Sequence, residues 1–168
     1  RDIQEEDGGK PGITYDTKPH TVTVTVRDNG EGRLLTSAKY DEKDDLEIVN
    51  TYTAAGTIVL EAKKAENARL GDNTFTFKIA GYDNYTDDQT VKQGETATFT
   101  SIGYELEDAG KTFTYVIKEI KGDKTYIEYD ETPRTVTVTV SNNGEGGLIA
   151  TADYGTAGKA EFKNTYTA

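Results

Sequence analysis

The stretch Lys159-Ala-Glu-Phe-Lys-Asn-Thr-Tyr-Thr-Ala168 decides the fold of this chain. Read with a period of two, Ala160, Phe162 and Asn164 share one face, and Glu161, Lys163 and Thr165 share the other. The apolar row therefore carries a carboxamide, Asn164, to the inside of a sheet, where a polar group must find partners or react. The same pattern is written earlier as Leu46-Glu-Ile-Val-Asn50-Thr-Tyr-Thr-Ala54, with Leu46, Ile48 and Asn50 as the matching inward row.

That repetition extends backwards. Residues 15–54 align without a gap to residues 129–168 at an offset of 114, with 22 of 40 positions identical. Both copies run Tyr-Asp, Pro, Thr-Val-Thr-Val-Thr-Val, Asn-Gly-Glu-Gly, Leu, Ala, Tyr and Asn-Thr-Tyr-Thr-Ala. Solenoid repeats have periods of roughly 20–50 residues, so an offset this long means tandem whole domains. The expected organisation is a complete domain, 55–168, preceded by the C-terminal part of another, 1–54, as a piece of a longer array. Further upstream, Arg1-Asp-Ile-Gln4 is set against Lys118-Glu-Ile-Lys121, which puts Asp2 in the place of Glu119.

Composition narrows the functional classes. The net charge of −11 argues against nucleic acid or an anionic membrane as partner. No apolar run is long enough to span a bilayer. Cys is absent, which removes disulfides and thiolate chemistry, and the single histidine, His20, excludes a His-cluster metal site; no metal or other cofactor is expected. Threonine is abundant, Tyr is the main aromatic with 11 residues, and many short alternating runs are broken by Gly, Asn and Asp. This reads as an all-β sandwich.

Strands are expected at 21–26, 33–40 and 46–53 in the first part. In the second they are expected at 57–64, 73–79, 96–102, 111–119, 135–140, 147–153 and 159–165, with a polar excursion at 82–94 and little helix. Asp28-Asn-Gly-Glu-Gly32 and Asn142-Asn-Gly-Glu-Gly146 read as hairpin turns that use Asn-Gly for positive φ. They lack the ligand set of an EF-hand calcium loop.

Parity also singles out a site. Ile58, Leu60, Ala62 and Lys64 share a face of one strand; Phe113, Tyr115, Ile117 and Glu119 share a face of another; Ala160, Phe162 and Asn164 share a face of the last. Three apolar rows thus end in an amine, a carboxyl and a carboxamide. If the three meet, burial is expected to lower the Lys pKa and raise that of the Glu. That gives a nucleophilic amine beside an acid able to shuttle protons and to donate to the Asn carbonyl oxygen. Attack on the Asn side-chain carbon yields a Lys–Asn isopeptide bond and releases ammonia. The alternative is three strand-end polar residues facing water.

The stretches at 60–70 (Leu-Glu-Ala-Lys-Lys-Ala-Glu-Asn-Ala-Arg-Leu), 74–77 (Thr-Phe-Thr-Phe), 109–119, 129–140 and 161–166 together resemble the streptococcal-type pilin isopeptide linkage domain. That family includes T-antigen-like backbone pilins and repeats of Gram-positive surface proteins. The resemblance implies an immunoglobulin-like β-sandwich locked by a Lys–Asn bond that a Glu assists. It gives Glu119 the catalytic role and Asn164 the amide role. It gives Lys64 the amine role because the family's Lys stands five residues before an Arg, here Arg69; counting back from Phe75 leaves Lys63 as the alternative.

The resemblance further implies a structural stalk or shaft domain on the cell wall, with neighbouring repeats or pilin subunits as partners and no catalytic turnover. In the first part, Asn50 and Asp2 would be equivalents without a lysine strand. No bond to Asn50 is expected within the chain unless another molecule supplies the missing strand, and edge complementation by a separate chain is one way to complete that part. A second reading is an adhesin that binds a ligand through the Tyr-rich segment 82–88. A glycosidase would need paired carboxylates in a cleft, which the sequence does not offer.

Overall fold

The computed structural model describes residues 1–156 and 158–168. The chain divides into two units, Arg1–Thr53 and Ala54–Ala168.

The first unit contains β1 (Asp2–Ile3), β2 (Ile13–Thr14), β3 (His20–Asp28), β4 (Leu34–Tyr40) and β5 (Thr51–Tyr52). Alternating Thr and Val make β3 stiff at χ1 and well suited to a pleated surface. It pairs antiparallel with β4 and, at its start, with β1, while β2 pairs with β5. In the turn after β3, the Asp28 and Asn29 side chains accept the N–H groups of Gly30 and Glu31, which holds the reversal locally.

The second unit runs β6 (Ala55–Ile58), β7 (Glu61–Lys64), β8 (Thr74–Gly81), β9 (Thr86–Lys92), β10 (Thr96–Thr98) and β11 (Ile102–Glu105). It continues with β12 (Thr112–Glu119), β13 (Ile127–Glu128), β14 (Arg134–Asn142), β15 (Leu148–Asp153), β16 (Ala160–Phe162) and β17 (Thr165–Tyr166). One layer is a five-stranded antiparallel sheet in the order β15-β14-β12-β8-β9. The other is made of β10-β7-β16, β11-β6 and β13-β17. Among the described residues, helix is confined to three single 3₁₀ turns, Ala68–Leu70, Tyr82–Asn84 and Leu106–Asp108. The architecture is an all-β sandwich.

Its core takes one row from each strand. Leu60 and Ala62, Phe75, Phe77 and Ile79, Tyr115 and Ile117, Val136, Val138 and Val140, and Phe162 are all buried. Phe77 of one layer meets Phe162 of the other at 4.8 Å between ring centres. Deep in the core the Tyr104 and Tyr115 hydroxyls bond each other at 2.8 Å, so neither phenol is left unsatisfied. Where β6 meets the start of β15, a Cβ on Gly56 would stand 2.2 Å from the Leu148 carbonyl oxygen, so only glycine permits that approach.

The feature that positions the site is the pairing of β7 with β16. It is parallel, with Ala62 opposite Ala160 and Lys64 opposite Phe162. The first and last parts of the unit thus lie side by side, and Asn164 follows two residues after the partner of Lys64.

The structure departs from the expected elements in several places; among them, the expected strands 96–102 and 159–165 are interrupted at 99–101 and at 163–164. The run 57–64 is broken at Val59 and Leu60, because β6 pairs with β11 whereas β7 pairs with β10 and β16. The polar excursion 82–94 contains a strand, β9, paired along its length with β8. It lies at the sheet edge, and its Asp, Gln and Thr residues carry no apolar alternation to announce it. In the first unit, 46–50 is not a strand. Its counterpart β16 is held by β7, and residues 1–53 contain no counterpart of β7.

The strand register relates the units residue by residue. Ile3 opposes His20 and Ile117 opposes Arg134; Ile13 opposes Tyr52 and Ile127 opposes Tyr166. Each pair of positions differs by 114, so the correspondence reaches back to the first residues. This corrects the alignment of Asp2 with Glu119. Asp2 opposes Thr21 and corresponds to Val116; the residue in the place of Glu119 is Glu5. A slip of three is odd, and would have turned every side chain of β1 to the opposite face.

Equivalent valines differ in burial. Val138 and Val140 are fully buried, whereas Val24 and Val26 are 59% and 57% exposed. Val138→Ala is therefore expected to destabilise the second unit by about 2 kcal/mol, from two lost methyl equivalents plus the cavity they leave. Val24→Ala is expected to change stability by less than about 0.5 kcal/mol. Denaturant unfolding of the two variants checks the contrast.

Candidate functional site

Three strands deliver one polar group each to the end of the core. Lys64 ends β7, Glu119 ends β12, and Asn164 stands between β16 and β17. All three are buried, Lys64 completely. The Lys64 Nζ donates to Glu119 Oε1 at 2.8 Å and lies 4.5 Å from the centre of the Phe75 ring. The adjacent Lys63 points elsewhere, with its Nζ on the Gly94 carbonyl. Alternation along β7 separates the two lysines, so only Lys64 reaches Glu119.

Asn164 is held from two sides. Its side-chain Oδ1 accepts the main-chain N–H of Asp130 at 2.9 Å, and its main-chain carbonyl accepts Asn67 Nδ2 at 3.3 Å. Its Nδ2 is buried and, among the described residues, has no hydrogen-bond partner. A buried amide nitrogen without an acceptor costs roughly 1–3 kcal/mol.

Asp130 is the member of this cluster that parity did not find. Its N–H is shared between Asn164 Oδ1 and Glu119 Oε2, the latter at 3.1 Å. Its carboxylate is clamped in turn. Arg134 Nη2 donates to Oδ2 at 2.7 Å, and the N–H groups of Lys163 and Thr132 also reach the carboxylate. Arg134 lies 4.2 Å from the centre of the Phe162 ring and donates to the Glu161 carbonyl, tying the clamp to β16. The only signal in the sequence was the Tyr-Asp pair repeated at 15–16 and 129–130.

Electrostatics favour a reactive amine. Burial pushes the Lys64 pKa down, opposed in part by the hydrogen bond to Glu119. For Asp130, burial alone would raise the pKa, but Arg134 and the Lys163 N–H win and hold it below the usual carboxylate range. A neutral amine beside a proton acceptor, next to an amide whose oxygen faces an N–H donor, can perform acyl transfer at the Asn side-chain carbon.

The first unit holds part of the same arrangement. Asn50 Oδ1 accepts the N–H of Asp16 at 2.8 Å, as Asn164 does from Asp130. Asn50 Nδ2 donates to Glu5 Oε1 at 2.8 Å. Asp2 takes no part and is exposed. His20 replaces Arg134 and bridges Asp41 Oδ2 at 2.6 Å and Asp16 Oδ2 at 3.2 Å.

An all-β sandwich with a buried lysine–carboxyl–carboxamide cluster has the groups that a domain containing an isopeptide bond requires. The chain matches the family model of the Spy0128-like isopeptide containing domain (FctA) over residues 2–53 and 59–167, and it belongs to that pilin-type family. No curated protein matches the chain.

The His20 bridge gives the first unit a pH dependence. Hydrogen bonding to Asp41, which outweighs the effect of burial, raises the His20 pKa above 6.5, and the same contact lowers that of Asp41 below 3.8. The His20 contribution is full below the unfolded value and is lost as pH rises through the raised folded value. Asp41 contributes above its unfolded value, and its share is lost as pH falls through the lowered one. The stability of the first unit is therefore expected to decline as pH rises from 6.5 through the raised folded value of His20, and His20→Gln to flatten that decline. NMR titration of the ring with thermal unfolding across this range checks both.

Proposed function

We propose that the second unit is a structural shaft or stalk domain of a Gram-positive cell-surface pilin or repetitive surface protein, closed by an autocatalytic Lys64–Asn164 isopeptide bond. The observation that carries this reading is the completely buried Lys64 amine on Glu119, beside an Asn164 amide whose nitrogen has no partner among the described residues. The setting is extracellular and attached to the cell wall, and the partners are neighbouring repeats or pilin subunits. The reaction occurs once per molecule, without turnover.

The steps follow from the contacts. Glu119 takes a proton from Lys64 across their 2.8 Å hydrogen bond, a transfer that burial favours because it removes two charges. The neutral amine attacks Asn164 Cγ. Negative charge develops on Oδ1, where the Asp130 N–H already points, so no donor has to reorganise. Glu119 relays a proton from the attacking nitrogen to the departing Nδ2. The Cγ–Nδ2 bond breaks, ammonia leaves, and an Nζ–Cγ amide remains. Arg134 acts through Asp130: it fixes the carboxylate and hence the direction of the N–H.

The adhesin reading has less support. In the segment 82–88 the Tyr82 ring lies 4.4 Å from Phe113, and the Tyr85 hydroxyl donates to the Thr100 carbonyl. Tyr85 is engaged in packing, and Tyr82, although 51% exposed, is a single ring laid against Phe113 rather than part of an aromatic patch.

The intact mass of the denatured chain is expected to fall one ammonia below the mass of its sequence, with digestion placing the link between Lys64 and Asn164. A full mass overturns the proposal. Glu119→Ala is expected to slow the reaction by roughly 10²–10⁴-fold, the usual worth of a positioned acid–base group. Arg134→Ala should slow it by about tenfold while leaving Lys64, Glu119 and Asn164 in place. A time course of mass after refolding reads both variants.

A further inference from the structure

The ladder between β7 and β16 stops one rung short of Asn164, and a side chain carries it on. In this parallel pair the Ala65 N–H donates to the Phe162 carbonyl at 2.9 Å. Two residues further along each strand, the next rung would join the Asn67 N–H to the Asn164 carbonyl. That N–H is used elsewhere: it donates to Gln93 Oε1 at 2.9 Å, in the turn between β9 and β10. The Asn67 side chain takes its place, with Nδ2 on the Asn164 carbonyl at 3.3 Å. The chain leaves the sheet at Asn67 without releasing Asn164.

Asn67 is itself held in place. Its Oδ1 accepts the Arg69 N–H at 3.2 Å and so caps the 3₁₀ turn Ala68–Leu70, whose Leu70 is completely buried. With the oxygen committed to the cap, the amide is turned so that Nδ2 meets the last strand. The turn that receives the Asn67 N–H also grips the lysine. The Gly94 N–H donates to the Lys64 carbonyl at 3.0 Å, and the Lys64 N–H donates to the Glu95 carbonyl at 2.9 Å. Lys64 and Asn67 thus lie on one short segment, braced by one turn.

We infer that Asn67 is a positioning residue: it holds the main chain of Asn164 so that the side-chain carbon faces the Lys64 amine. This rests on the acyl-transfer reading of the second unit. Asn164 is fixed at both ends, its carbonyl by Asn67 and its Oδ1 by the Asp130 N–H. Its Nδ2, the group that departs, has no hydrogen-bond partner among the described residues. The hydrogen bonds of Asn67 go to Gln93, Arg69 and the Asn164 main chain, not to the reacting groups. It therefore moves no proton, and its effect is on distance and direction alone. Misplacing a reacting atom by about 1 Å can cost roughly a hundredfold in rate.

The test follows the denatured mass of the full chain after refolding, across a series of pH values, with digestion to locate the link. Asn67→Ser keeps an oxygen for the cap, adds no charge, and is too short to reach the Asn164 carbonyl. It is expected to slow linkage by roughly ten- to a hundredfold while leaving the midpoint of the pH profile in place. Gln93→Ala, which frees the Asn67 N–H, is expected to slow linkage less. Linkage of Asn67→Ser at the rate of the unsubstituted chain overturns the inference. A midpoint moved to higher pH overturns it as well, because it means that water has reached Lys64 and that Asn67 merely seals the core. If Asn67→Ser does not fold, Gln93→Ala decides, and an unchanged rate there overturns the inference. Absence of the Lys64–Asn164 link from the unsubstituted chain condemns the earlier reading, and this one falls with it.

Discussion

Everything at the end of the second unit depends on one buried proton donor, the amine of Lys64. An ammonium with no accessible surface is tolerable only with a partner, and β12 supplies one in Glu119. Breaking such a pair by removing one member is strongly destabilising, whereas neutralising it by proton transfer, or consuming it in an amide bond, removes the problem. The fold thus sets up an unfavourable ground state that acyl transfer would relieve. Complete burial of the amine, with the Phe75 ring 4.5 Å away, keeps water from relieving it instead.

The second constraint is made by the main chain. Asp130 contributes its N–H, and its carboxylate is spent on keeping that N–H aimed. The first unit uses the same N–H on Asn50 but holds it with His20 in place of Arg134. Arg keeps its charge at every physiological pH, whereas His titrates in that range. The two copies therefore share a geometry and differ in how firmly it is fixed.

Much of this was legible because a strand exposes its inside to simple counting. Alternation put Lys64, Glu119 and Asn164 on inward faces, and the structure brings those three together at the end of the core. What alternation does not see is a contribution without a side-chain pattern. The N–H of Asp130 belongs to a loop, and a backbone donor leaves no trace in the sequence beyond its neighbours. Strand β9 escaped because an edge strand with Asp, Gln and Thr on both faces has no period to read. Glu5 was passed over because the resemblance of Asp-Ile to Glu-Ile outweighed the register, which an odd slip cannot satisfy. The break at Val59 and Leu60 escaped for another reason: the residues suit a continuous strand, and only the change of partner from β11 to β10 and β16 interrupts it.

The parallel pairing of β7 with β16 gives the proposed bond its mechanical meaning. Tension on the two termini would pull these adjacent parallel strands past each other, and the few main-chain hydrogen bonds between them would carry the load. A link from Lys64 to Asn164 closes a loop of 100 residues, for which chain entropy alone is worth about 4.7 kcal/mol. The entropy is the smaller gain. With the bond in place, residues 65–163 lie outside the force path, so the five-stranded sheet and nearly all of the core never bear tension. A chain without cysteine would thereby obtain what a disulfide provides, through a bond that reducing agents do not cleave.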